Sequence, residues 1–102
     1  MADLTIKPQA GSSNKLILQD QQGGAILTSA TSGAEMNTHV IPASDATLNL
    51  GSSAKRWNNI YTTDLHLQND RGNWTVIEEE NYLTLRNNKT DKVYKLVMEE
   101  IE

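Results

Sequence analysis

The chain has 102 residues and no cysteine, which rules out a disulfide framework and any thiolate metal site. Phenylalanine is absent too, aromatics make up 5% and apolar residues 37% of the sequence, so the material for a large private core is thin. A globule of this size buries only about two-thirds of its unfolded surface, and a lone core would be marginal. Help from neighbouring subunits is the natural remedy. Clustered positive charge is also missing: Lys55-Arg56 is the one adjacent basic pair, and the formal net charge is −4. Nucleic acid is therefore not the expected partner, because phosphate binding needs concentrated Lys and Arg. No apolar run approaches the length of a membrane span, and Met1-Ala2-Asp3-Leu4 lacks the basic and apolar regions of a secretory signal. The expectation is a chain neither inserted into a membrane nor exported.

Ser, Thr, Asn and Gln fill the space the missing residues leave, a composition suited to solvated β structure. Disorder would also be polar, but the alternation from Trp74 onward is too regular for that. The reading is a single all-β domain over residues 1–102 in three sections, 1–31, 32–68 and 69–102. In the first, Lys15 to Gln19 and Ala25 to Thr28 flank Asp20-Gln21-Gln22-Gly23-Gly24, whose glycines suit the positive-φ positions of a hairpin turn. Both arms are short continuous apolar runs, which predicts cover on two faces. In the second, Ser32-Gly33 and Pro42 to Asp45 read as loops, with brief strands at Val40-Ile41 and Leu48 to Leu50. A longer strand follows, with Tyr61, Thr63, Leu65 and Leu67 on one face and Thr62, Asp64, His66 and Gln68 on the other. The third section reads as a three-stranded antiparallel meander through Trp74 to Glu78, Tyr82 to Arg86 and Val93 to Met98, with turns at Asn69 to Asn73, Glu79 to Asn81 and Asn87 to Asp91. Its last strand is apolar on both faces, which again points to cover from outside the protomer. Neither an internal repeat nor a heptad pattern is present, so assembly would run through β structure and not a coiled coil.

The most distinctive stretch is Leu50-Gly51-Ser52-Ser53-Ala54-Lys55-Arg56-Trp57-Asn58-Asn59-Ile60-Tyr61. Gly51 suits a sharp reversal, Ser52 or Ser53 a capped single helical turn near Ser53 to Trp57, and Trp57 a side chain that falls back onto the fold before Ile60-Tyr61 opens the next strand. In a chain of any origin this reads as a Trp-anchored turn. As a word, Leu-Gly-Ser-Ser, a short basic step and Trp-x-x-Ile-Tyr, it resembles a pattern recurring in the fibre, spike and adhesin-like virion proteins of tailed bacteriophages. Gly51, Ser52, Ser53, Arg56, Trp57, Ile60 and Tyr61 carry that resemblance, which covers about a dozen positions. It implies a virion protein, assembled in the host cytoplasm as an intertwined or side-by-side homotrimer with other virion proteins as partners.

Catalytic chemistry finds no support. Glu78-Glu79-Glu80 are consecutive at a polar turn, whereas a glycosidase needs two opposed carboxyls about 5 to 9 Å apart in a cleft. Only His39 and His66 could serve a Ser-His-Asp set, and no Gly-x-Ser-x-Gly elbow is present to hold its nucleophile. Gly23-Gly24 has neither the spacing nor the following Lys of a phosphate loop. No cofactor, no metal ligand set and no catalytic residue are expected. His66 on a threefold axis would supply three imidazoles, but a solvent-facing His66 beside Asp64 is the preferred reading. Exposed aromatic rings stack on sugars, and Trp74 beside Arg71 and Asn73 is the candidate receptor or sugar contact. A core role for Trp74 is the competing and preferred reading, as it is for Trp57 and Tyr61.

The expected function is structural and non-enzymatic: a fibre- or spike-like component that contributes to host-surface attachment, meeting a host glycan or protein. A trimeric capsid decoration protein is the alternative, and a carbohydrate-binding β-sandwich module the third reading.

Overall fold

A computed structural model describes residues 2–11 and 13–102. It is all-β, with two antiparallel sheets and no helix among the described residues. Contacts divide the chain into two units, Met1–Leu50 and Gly51–Glu102, each built on one sheet.

In the first unit, β1 (Ile17–Gln19), β2 (Ala25–Ala30) and β3 (Gly33–Met36) form a three-stranded sheet in chain order. The β1–β2 turn is organised by Asp20. Its Oδ1 accepts the N–H groups of Gln22 and Gly24 at 2.9 and 2.8 Å, and its own N–H donates to the Gly24 carbonyl at 2.8 Å. Gly23 supplies the left-handed residue, at φ 90°. The register slips between Leu18 and Gln19, a β-bulge beside the turn. The loop expected at Ser32-Gly33 is instead a two-residue turn, Thr31-Ser32, with Ala30 opposite Gly33 and a further strand beyond it. The run Gly-Ala-Glu-Met carries no β-branched or aromatic residue, so nothing in its composition announces a strand. The brief strands expected at Val40-Ile41 and Leu48 to Leu50 do not form. Both segments are irregular, and their apolar side chains are exposed.

In the second unit, β4 (Asp64–Gln68), β5 (Asn73–Glu78), β6 (Leu83–Asn87) and β7 (Lys92–Lys95) form a four-stranded meander in chain order. The expected three-stranded meander gains β4, which pairs with β5 from Asp64 opposite Ile77 to Gln68 opposite Asn73. Residues 61–63 lie outside the strand, and the last strand closes at Lys95, short of the expected Met98. The β4–β5 and β6–β7 turns each open on a short polar side chain. Asn69 Oδ1 accepts from Arg71 and Gly72 at 2.8 and 3.0 Å, and Asn87 Oδ1 accepts from Lys89 at 3.0 Å. These Asx turns fix the hairpins before any packing is considered.

The helical turn expected near Ser53 to Trp57 is absent. Ser52 does cap, its Oγ accepting the Lys55 N–H at 3.0 Å, but the Ser52 N–H donates forward to the Lys55 carbonyl at 2.9 Å. In a helix a later N–H donates to an earlier carbonyl, so this pairing closes a reversal and excludes a helical turn.

No apolar residue is buried among the described residues. Each sheet is a single layer, and no element of its own unit packs on it. The alternation of β4–β7 nevertheless sorts side chains by face. Register rows Leu65–Val76–Leu85–Tyr94 and Leu67–Trp74–Asn87–Lys92 share one face, apolar except at the β6–β7 turn end, while Asp64, His66, Thr75, Thr84, Arg86 and Lys95 lie on the other with Ile77 and Val93. The apolar face is half-open, with Leu65 and Tyr94 each 49% exposed.

Candidate functional site

Three places in the second unit gather the residues singled out by the sequence. The first is the reversal at residues 51–57. Gly51 adopts φ 84°, and a Cβ there would stand 3.3 Å from Trp57 Cδ1 and 3.4 Å from the Lys55 carbonyl oxygen. Trp57 thus does fall back, onto the glycine of its own turn. It does not reach a core within the protomer and is 63% exposed. Ser53 lies in the bend, and Arg56 lines a shallow open groove with Ala54, Lys55, Trp57 and Asn58. Ile60 is exposed and Tyr61 is 93% exposed, ahead of the strand they were expected to open. The motif is therefore an ordered turn carrying two aromatic rings and an isoleucine with nothing of their own unit to cover them.

The second place is the recess at the β4–β5 turn, about 370 Å³, lined by Leu67, Gln68, Asn69, Arg71, Gly72 and Trp74. The indole of Trp74 is packed against Gly72, where an added Cβ would meet Nε1 at 3.3 Å, and its ring lies 5.9 Å from that of Tyr94 at a 42° tilt. It is half-buried on the apolar face. Arg71 and Trp74 are brought to one recess, but Asn73 is not. The Asn73 side chain accepts from Asn88 Nδ2 at 2.9 Å, across the β5–β6 pair. Tyr94, which sequence reasoning did not link to Trp74, follows from the register that places it beside Leu85, diagonal to Trp74.

The third is the polar face. Thr75 and Thr84 are the buried residues of the described structure, 5% and 7% exposed. Thr75 Oγ1 accepts from Asn88 Nδ2 at 2.9 Å and pairs with His66 Nδ1 at 3.2 Å, and Thr84 Oγ1 donates to Glu79 Oε1 at 3.4 Å. His66 is exposed, as expected, and its ring also pairs with Thr75 across the β4–β5 pair. Asn88 is the residue the sequence did not single out. Its signal was the Asn87-Asn88 pair, in which one side chain is needed for the Asx turn and the second is free to clamp the neighbouring strand.

Chemically, this is an arrangement of hydrogen-bonding side chains beside open aromatic and aliphatic surface. Glu78, Glu79 and Glu80 sit at the end of β5 and in the turn after it, exposed, and no group of three His, Asp or Glu side chains is placed to hold a metal ion among the described residues. No family model, no curated protein and no solved structure matches the chain.

Proposed function

We propose that this chain is a structural protomer of a homotrimeric, fibre- or spike-like component of a tailed-bacteriophage particle, acting in attachment to the host surface. The observation that carries the assembly reading is the missing core. The chain exposes 10265 Å², whereas a folded globule of its mass exposes about 5,700 Å², and two separate globules of half that mass about 6,900 Å² together. Even the second comparison leaves an excess of about 3,400 Å² per protomer, and a cyclic trimer that buried it would have three interfaces of about 3,400 Å² each, within the obligate class. Three chains then share an interior that none builds alone, and any weak surface contact is repeated around the axis.

The virion assignment rests on the Gly51 to Tyr61 word. Its exposed Trp57, Ile60 and Tyr61 suit a segment that docks on another chain. In this reading Trp74 belongs to the shared interior, and Arg71, exposed at the same turn, is left as the candidate contact for a host glycan or protein, its guanidinium offering hydrogen bonds. Particles assembled without this chain test the reading: they should resist heat and osmotic shock like wild type while adsorbing poorly to the host. Fragile particles that adsorb normally would decide for capsid decoration.

A further inference from the structure

The strongest unexplained feature of the second unit is that the two open edges of its sheet match each other. β4 and β7 are its outer strands, and neither carries the proline or the register slip that commonly guards an edge. Lys92 and Lys95 on β7 would by themselves read as such a guard. The rows across the sheet argue otherwise. One row runs Asp64–Ile77–Thr84–Lys95, with opposite charges at its two ends, and the next runs Leu65–Val76–Leu85–Tyr94, with an aliphatic and an aromatic side chain at its ends. The other two rows end in His66 and Val93, and in Leu67 and Lys92, which neither attract strongly nor repel.

The hydrogen-bond phase agrees. Asn88 N–H donates to the Asn73 carbonyl and Leu96 N–H to that of Leu83, so alternate rows are hydrogen-bonded in successive strand pairs. On β4 this turns the backbone groups of Asp64 and His66 to the free edge, and on β7 those of Val93 and Lys95. A second copy in the same orientation would set its β4 antiparallel to this β7, with Asp64 and Lys95 opposite each other as a hydrogen-bonded pair. We infer that the β4–β7 sheets of three copies join edge to edge, β7 of one to β4 of the next, in the register that pairs Lys95 with Asp64.

The number three follows from size. Four strands about 4.8 Å apart make a wall about 19 Å wide, and in a ring of three such walls the axis lies about 5.5 Å from each. That is close to half of the roughly 10 Å between packed sheets, so the inward side chains would meet and fill the interior. Four walls would stand about 10 Å from the axis and leave an open channel. With the apolar face inward, Leu65, Leu67, Trp74, Val76, Leu85 and Tyr94 become the shared core, Asn87 and Lys92 come in at its β6–β7 turn end, and His66 lies on the outer face, away from the axis.

This inference rests on the trimer reading, and the test separates the two. The chain has no cysteine, so introduced thiols act alone. Directly opposed residues of a hydrogen-bonded pair have Cα atoms about 5.5 Å apart, within disulfide range. The double variant Asp64→Cys, Lys95→Cys should give covalent trimer as the main band on a non-reducing gel after mild oxidation. Either single variant, and the offset pair Asp64→Cys, Val93→Cys, should give almost none. If reduced Asp64→Cys, Lys95→Cys does not assemble, His66→Cys with Val93→Cys poses the same question two rows on, at the next hydrogen-bonded pair. Trimer by light scattering without covalent trimer from either opposed pair overturns the edge register and leaves the trimer standing. A ladder beyond three overturns closure, and wild-type chain that stays monomeric at micromolar concentration overturns both readings.

Discussion

Asn88→Ala removes a side chain that ties β5 to the β6–β7 turn. Its amide nitrogen donates to Asn73 Oδ1 and to Thr75 Oγ1, both at 2.9 Å. A neutral hydrogen bond contributes about 0.5 to 1.5 kcal/mol net, so two from one partly buried amide set an expected loss of about 1 to 3 kcal/mol. The lower half of that range is favoured by two features. Thr75 keeps its pairing with His66, and Asn73 is only half-buried and regains water. Asn88→Asp is the sharper variant: the carboxylate can still accept from the Thr75 hydroxyl but faces the Asn73 carbonyl oxygen with no proton to offer. It should cost at least as much as alanine, although aspartate is a good turn residue. Urea unfolding followed by tryptophan fluorescence at one fixed protein concentration reads the change, because the stability of the proposed trimer would depend on concentration. A shift of less than about 0.3 kcal/mol for both variants would refute the clamp.

Gly51→Ala places a Cβ in the left-handed region and within 3.3 Å of Trp57, so a loss of about 1 to 2 kcal/mol is expected in thermal unfolding; a neutral result would mean the reversal is not held in this form. Trp57→Ala should weaken assembly at least tenfold in a dilution series, since the ring is exposed within its own chain; unchanged assembly with lost adsorption would make Trp57 a receptor contact. Arg86→Ala breaks the exposed 2.6 Å pair with Asp91 and should cost no more than about 0.5 kcal/mol, less at high salt. Incubation with host-surface glycans should release no new reducing ends, and release abolished by substituting Glu78 to Glu80 would overturn the non-enzymatic reading.

How much of this was legible depends on how local the deciding physics is. The hairpins at Asp20 to Gly24, Asn69 to Asn73 and Asn87 to Asp91 were readable because an Asx side chain or a glycine fixes each turn within five residues. The faces of β4 were readable from period two, and the register keeps Leu65 and Leu67 apart from Asp64 and His66 as expected. β3 was not readable, because Gly33 to Met36 is a strand only through pairing with β2. The helical turn was mistaken because a serine cap has the same local signature whether the chain then winds or reverses; the direction of the Ser52–Lys55 hydrogen bond decides it. Of the candidate site, the Arg71–Trp74 proximity was visible in sequence. The diversion of Asn73 to Asn88 was not, since it depends on a residue fifteen positions away.

Sedimentation equilibrium of the full chain across nanomolar to micromolar concentration, with circular dichroism at each end of the range, tests the central claim directly: the β structure is complete only where chains share their apolar faces. The prediction is a species of three times the 11.3 kDa chain mass at micromolar concentration, losing its β signal as it dissociates on dilution. A monomer that keeps a full, cooperative β structure at every concentration would contradict it.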